Sequence, residues 1–305
     1  METCLEDYLS HEKEAGYSAS TLYRKGIYLR QFLEWCRDLG IESLLQITPI
    51  RMERYRKHLY YYRNEKGEAL SFTTQARRLQ EVRKFFQHLI KRGVLPQNPA
   101  EGTELPRQSE HLPLTLTKRE LERILAAPDT TDPLGLRDRA ILEILYATGL
   151  TREELWGLEV DHISLEEPSL KVDKEPRKRK IPLLPRTAHW LKRYLEEARP
   201  GLLNSPEEKA LFLGKKKRPF VCRDLSVLVR KYKKRAGIEK RGSFTLFRHS
   251  LIALLLEGGM DLRYIQEIMG LGKLEQIQRY SGVSIGKLKE VHAKTHPSAG
   301  RKSKK

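Results

Sequence analysis

Cysteine is scarce, long apolar runs are missing, and acid is outnumbered by base. Cys4, Cys36 and Cys222 are odd in number and far apart, which argues against a disulfide framework or a zinc site, since both use paired, closely spaced ligands. They read as reduced thiols. The longest uninterrupted apolar run, Leu251 to Leu256, is far short of the ~20 residues that a helix needs to cross a bilayer. The first residues, Met1-Glu-Thr-Cys-Leu-Glu-Asp7, lack the basic and then apolar layout of a secretion signal, so a cytoplasmic protein is expected. Strands rich in aromatics, on which unpaired bases stack, are also missing, and this counts against an RNA binder.

Basic charge is what the chain has in excess. Lys and Arg number 58 against 40 Asp and Glu, for a net charge of +18. Dense runs lie at 171–180, 215–218 and 230–241. Such an excess implies a polyanionic partner. An anionic membrane surface would require a strongly apolar helix face beside the charge, and none is present. Double-stranded DNA is therefore the expected partner, with no membrane association.

At 305 residues and 39% apolar composition, the chain can build two domains with cores of their own. Apolar residues recur at helical spacing from Leu5 to Gly93, with breaks at glycines, and predict helices over 3–15, 18–39, 47–65 and 71–92. In the second, Leu22, Ile27, Leu29, Phe32, Leu33 and Trp35 form the apolar stripe, and Arg24, Lys25, Arg30 and Arg37 its polar side. The expected domains are a helical bundle at 1–97, a Pro-rich linker at 98–113, a second domain at 114–297 and a basic tail at 298–305. Thr117-Lys-Arg-Glu120 is a capping box that opens a helix, and another follows at 136–147. Alternating segments around a charged turn predict a β-hairpin over 169–184. Helices resume at 186–198, 222–236, 246–257 and 261–270, with two short ones to Ala293. The fold class is mainly α with a small β-sheet.

Specific motifs then appear. Tyr146-Ala-Thr-Gly-Leu-Thr-Arg-Glu-Glu-Leu155, Lys174 on the hairpin, Leu246-Phe-Arg248-His249-Ser, Gly270 and Tyr280 closely resemble the tyrosine site-specific recombinases, in particular their Xer-like and integrase branch. The resemblance covers nearly the whole chain. It implies a SAM-like core-binding bundle followed by a mixed α/β catalytic-type domain, clamping duplex DNA between them. It also implies a transesterification that uses no metal and no other cofactor. A tyrosine hydroxyl attacks a DNA phosphate, leaving a 3′-phosphotyrosine and a free 5′-hydroxyl. Two arginines hold the non-bridging oxygens, a hairpin lysine protonates the leaving oxygen, and two further His or His/Trp positions assist.

Position by position, Tyr280 matches the nucleophile, Lys174 the hairpin lysine and Arg248 the second arginine. The first arginine is replaced by Thr151, the histidine three residues before Arg248 by Thr245, and the late histidine by Leu271. Three of the six expected residues are thus replaced. Thr151-Arg-Glu-Glu154 also reads as a capping box, which explains the threonine but not the lost guanidinium. Arg152 is a candidate replacement, although one step along a helix turns a side chain by ~100°. Lys174 reads either as a general acid or as one more phosphate-gripping cation of its hairpin, with Lys171, Arg177 and Lys178. His249 reads as a packed or hydrogen-bonded histidine.

The helix over 222–236 places Leu225, Leu228, Val229 and Tyr232 on one face. Arg223, Ser226, Arg230, Lys233 and Lys234 lie towards the other, where its cations are expected to meet DNA phosphates. Two functions follow from the resemblance. One is site-specific DNA recombination or integration through Tyr280, with protomers assembling on DNA as dimers and tetramers. The other is a catalytically inactive DNA-binding accessory or regulator of a partner recombinase.

Overall fold

The computed structural model describes residues 1–106, 113–175, 177–215, 218–278 and 280. It divides into two compact units, Met1–Glu110 and His111–Lys305, and is mostly helical with one small sheet.

The first unit is a bundle of α1 (Glu2–Glu14), α2 (Ala19–Asp38), α3 (Pro49–Tyr61) and α4 (Phe72–Lys91). Ser18, Thr48 and Ser71 cap the last three by accepting the backbone N–H groups of Thr21, Arg51 and Thr74, which fixes where each helix begins. The core joins Leu29, Phe32 and Leu33 of α2 to Met52, Tyr55 and Leu59 of α3 and Leu79, Val82, Phe85 and Phe86 of α4. Burial of each such side chain contributes about 1.5–3 kcal/mol. The third helix stops at Tyr61 and not at 65. Asn64 Oδ1 accepts the N–H groups of Lys66 and Glu68, an Asx turn that competes with helical bonding.

Two expectations for this unit are corrected. Lys25, assigned to the polar side of α2, is buried, and its ammonium pairs with Glu12 and with Glu81 at 3.3 Å. Two carboxylates from α1 and α4 make that burial tolerable. Part of the expected linker is folded onto the bundle. Arg83 of α4 donates to the carbonyls of Ala100 at 3.1 Å and Thr103 at 2.6 Å, and Ala100 is buried in the bundle core.

The second unit is built round α6 (Pro133–Thr148), whose Leu136, Ala140, Ile141, Leu142, Ile144 and Leu145 are all buried. A helix apolar on so many sides belongs in the centre of a domain. Around it lie α5 (Lys118–Ala126), opened by the Thr117–Glu120 capping box, α7 (Arg152–Trp156) and α8 (Pro185–Arg193). The chain continues from α8 through a π turn, Tyr194–Ala198, into α9 (Arg199–Leu202). Beyond these come α10 (Cys222–Arg235), α11 (Phe244–Glu257), α12 (Leu262–Met269) and α13 (Glu275–Gln278).

The hairpin is β2 (Ser169–Val172) with β3 (Arg179–Pro182), extended antiparallel by β1 (Ile163–Ser164). Its register pairs buried Leu170 with buried Ile181 and outward Lys171 with outward Lys180, the alternation of a sheet covered on one face. Two-residue β1 is too short to show a period in sequence. The helix expected beyond α13 and the basic tail lie outside the described residues.

Candidate active site

The site is assembled where α6, α7, α11, α12 and β3 meet. Helix α6 ends on Gly149 in the left-handed region, φ 57°, which reverses the chain into the N-cap of α7. A Cβ at Gly149 would come within 2.7 Å of Met269 Sδ, so this turn closes directly onto α12. Thr151 then caps α7: its hydroxyl accepts the Glu154 N–H at 3.2 Å, and its own N–H is bound by Glu154 Oε2 at 2.8 Å.

Two guanidiniums tie these ends together. Arg248, one turn into α11, donates from Nη1 to the Gly149 carbonyl at 2.7 Å and from Nη2 to the Met269 carbonyl. Arg179, from β3, pairs with Glu154 at 2.8 Å and donates from Nε to the Ile268 carbonyl at 2.8 Å. The Arg179 and Glu154 side chains are only 6% and 3% exposed, so neither charge is loosely placed. Gly270, at φ 60°, leaves room for the Arg179 guanidinium, since a Cβ there would lie 2.6 Å from Nη1.

Arg248 opens onto a cavity of about 390 Å³ whose wall includes Thr151, Arg152, Glu153, Ser226 and Thr245. Three positions singled out in sequence, 151, 245 and 248, therefore converge on one space. An arginine has five N–H donors, and the bonds to Gly149 and Met269 leave Arg248 donors for a ligand. Burial lowers the Arg248 pKa from its ordinary value, as do Arg179 and Arg177 nearby, while Glu154 and Tyr280 act the other way. Such a cation, short of countercharge, favours an incoming anion.

Arg152 lines the same cavity. The ~100° turn per residue holds inside a helix, whereas Thr151 is an N-cap with extended backbone, φ −68° and ψ 160°. Side chains of an extended N-cap and the following first helical residue can share a wall. The Arg152 guanidinium donates to Glu153 Oε1 at 2.9 Å and 3.3 Å. Burial opposes ionisation of Glu153, but the Arg152 hydrogen bond, a backbone N–H and the charges of Arg152 and Lys174 outweigh it and lower its pKa.

Lys174 is exposed in the β2–β3 turn, and its charge reaches Glu153. The Tyr280 and His249 rings meet in an edge-to-face arrangement with centroids 5.5 Å apart, and the Tyr280 phenol is among the groups acting on Arg248. Burial, and then Arg248, lower the His249 pKa, which favours the neutral imidazole. Leu271 and Tyr280 pack against one apolar cluster of Leu251, Ile252, Ile265, Met269 and Ile277, and the Leu271 side chain carries no proton to give.

Of the cations expected to meet DNA, Arg223, Arg230 and Lys234 on α10 and Lys171, Arg177 and Lys178 on the hairpin are exposed. Asp173 pairs with Lys171 at 3.0 Å and with Lys178 at 3.4 Å. Lys233 is a correction. It is buried, and its ammonium donates to the carbonyls of Lys240 and of Gly242, the latter at 2.7 Å. It closes the loop after α10 instead of facing outwards. Glu153 lies inside a capping box and Arg179 is one charge among many in the hairpin run, so neither stands out in the sequence.

Comparison with known proteins bears on this arrangement. Residues 115–285 match the model of the phage integrase family, and residues 5–93 match the phage integrase N-terminal SAM-like domain. The chain belongs to the phage integrase family. This integrase-family chain is similar to tyrosine recombinase XerC 2 of Ralstonia nicotianae, with 37% identity over 93% of this chain and 82% of the relative. It is also similar to tyrosine recombinase XerD of Lacticaseibacillus casei, with 38% identity over 95% of this chain and 96% of the relative. Among solved structures, the XerH site-specific recombinase bound to its difH substrate aligns with a TM-score of 0.72 at 21% identity, over 95% of this chain and 83% of that one. The Tn1549 transposon integrase with a circular intermediate DNA aligns at 0.76 and 19%, over 95% and 98%. The integrase-family fold thus spans both units, and no helix among the described residues is long and apolar enough to cross a membrane.

Proposed function

We propose that this chain acts in site-specific DNA recombination, holding a phosphodiester of duplex DNA at the Arg248 cavity. The observation that carries this reading is the convergence of Arg248, Thr151 and Thr245 on one cavity, with the Tyr280 phenol in electrostatic range of Arg248. Its similarity to tyrosine recombinases, and the DNA-bound state of its structural neighbours, point the same way.

In the proposed reaction the Tyr280 phenol gives up its proton to water, and its oxygen bonds to phosphorus as the bond from phosphorus to the 5′ oxygen breaks. Lys174 gives that oxygen its proton, and Arg248 stabilises the charge on the non-bridging oxygens. The 5′-hydroxyl later attacks the phosphotyrosine, so the backbone bond energy is conserved without a cofactor. Thr151 and Thr245 can donate hydrogen bonds to the phosphate but supply no charge, and Leu271 supplies neither, so slow strand cleavage is expected. Exchanging two duplexes opens four strands, one per tyrosine. That count requires four protomers, paired on each site. The exposed cations of α10 and the hairpin supply backbone contacts around the cavity.

The test is a nicked suicide duplex carrying the protein's own site. A covalent protein–DNA adduct that is absent in Tyr280→Phe supports strand cleavage. Absence of any adduct, with tight duplex binding intact, would leave a DNA-holding partner of another recombinase.

A further inference from the structure

The cavity wall carries one carboxylate where an anionic ligand is expected. Glu153 lies beside Arg152 in sequence and on the same cavity as Arg248. Both guanidinium bonds of Arg152 to it fall on a single oxygen, Oε1. Neighbouring residues of a helix do not face each other, so the Arg152 side chain must fold back to make this contact. Both side chains remain about half in solvent, 41% for Arg152 and 49% for Glu153. An ion pair this exposed is weak and readily exchanged. Next to it, the Glu154–Arg179 pair is buried and held by further bonds, so the two adjacent glutamates have opposite characters. Lys174 is a second cation within reach of Glu153.

We infer that Arg152 and Glu153 form an exchangeable pair: Glu153 occupies Arg152 while the cavity is empty, and a DNA phosphodiester displaces Glu153 to take Arg152 as the second guanidinium on the phosphate. The inference rests on the reading of the cavity as a phosphodiester site. Thr151 supplies no charge, and the cation next to it on this wall is Arg152. A phosphate offers the fork of Arg152 two oxygens, and a partner anion already held by Arg248, whereas Glu153 offers one oxygen. Glu153 is then a positioning residue that acts through Arg152, and it also sets how strongly the empty cavity resists phosphate.

The experiment measures binding of the full chain to a mixed-sequence duplex across a range of salt concentrations. Arg152→Ala should flatten the slope of log affinity against log salt by about one and weaken binding about ten-fold. Arg152→Lys should restore the slope while recovering only part of the affinity, because an ammonium keeps the charge and loses the fork. Glu153→Gln should tighten binding about three- to ten-fold by freeing Arg152, and this gain should shrink when Arg152→Ala is also present. Thermal melting should stay near wild type in all three, since the pair is exposed. On a duplex carrying the protein's own site, a neutral methylphosphonate at the cleaved linkage should erase the difference between wild type and Arg152→Ala. If Arg152→Ala and Glu153→Gln bind with wild-type slope and affinity, the pair is only a surface contact and the inference fails while the cavity reading stands. If the wild type binds no duplex, the reading beneath it fails and the pair's role with it.

Discussion

The Arg248 guanidinium donates to the carbonyl of Gly149 at 2.7 Å and to that of Met269, joining the end of α6 to the end of α12 across the start of α11. The residue proposed to hold phosphate is thus also a tie between three helices. Arg248→Ala should abolish any phosphotyrosine adduct and also lower stability by about 2–3 kcal/mol, because two carbonyls lose a charged donor. Arg248→Lys should recover part of the stability and little of the adduct. Urea denaturation and the suicide-duplex assay, run side by side, separate the two roles.

Glu154 and Arg179 form the buried counterpart. Removing either charge alone should cost about 3–5 kcal/mol, and the double variant Glu154→Gln with Arg179→Met should cost less than the sum. A double-mutant cycle in urea reads the coupling directly, and additive losses would contradict it.

Acid should weaken the same contact. Burial favours the neutral form of Glu154, yet the hydrogen bond from Arg179 and those of the α7 cap outweigh it and lower the folded pKa. The unfolded value is about 4.3. A depressed folded pKa contributes stability that is present above that value and is lost as pH falls through the folded one. The gap between wild type and Glu154→Gln, measured by urea midpoints, should therefore be widest near neutrality and shrink below about pH 4. An unchanged gap at acid pH would count against the assignment.

Lys233 and its neighbours on α10 should separate by type of defect. Lys233→Ala should lower stability by about 1–3 kcal/mol by releasing the carbonyls of Lys240 and Gly242. It should leave the salt slope of duplex binding unchanged. Arg230→Ala and Lys234→Ala should do the reverse, each reducing the slope by about one. Thermal melts with salt titrations check all three.

Gly270→Ala combines two penalties. The residue has φ 60°, and a Cβ would meet the Arg179 guanidinium at 2.6 Å. A loss of about 2 kcal/mol or more is expected, together with loosening of the Glu154–Arg179 pair. Gly16→Ala, also at positive φ but with open space around it, should show only the backbone strain.

Much of this was legible from periodicity and caps. The apolar stripe of α2, the capping boxes at Thr117 and Thr151 and the two-residue alternation of the hairpin are local signals, and local signals survive in a sequence. Positions 151, 245 and 248, which resemblance singles out, line one cavity, and Tyr280 lies beside His249. What escaped depended on partners distant in sequence. Lys25 and Lys233 read as surface charges until Glu12 and Glu81, or the carbonyls after α10, are seen to close over them. Helical rotation sets Arg152 apart from position 151, but that argument does not hold at a cap whose backbone is extended. Asn64 ended α3 early because a side-chain turn competes with one more helical bond, a local contest that apolar spacing does not register.

The bonds from Arg83 to the carbonyls of Ala100 and Thr103 bear on how the bundle can be excised. A fragment ending at 97, where the helical pattern stops, would strip a guanidinium of both acceptors and uncover the core beside Ala100. One carried on through Leu105 would keep them. One arginine side chain and the packing of Ala100 and Leu105 carry this unit past its last helix, and protease digestion that trims the chain to its smallest resistant piece should stop beyond Thr103.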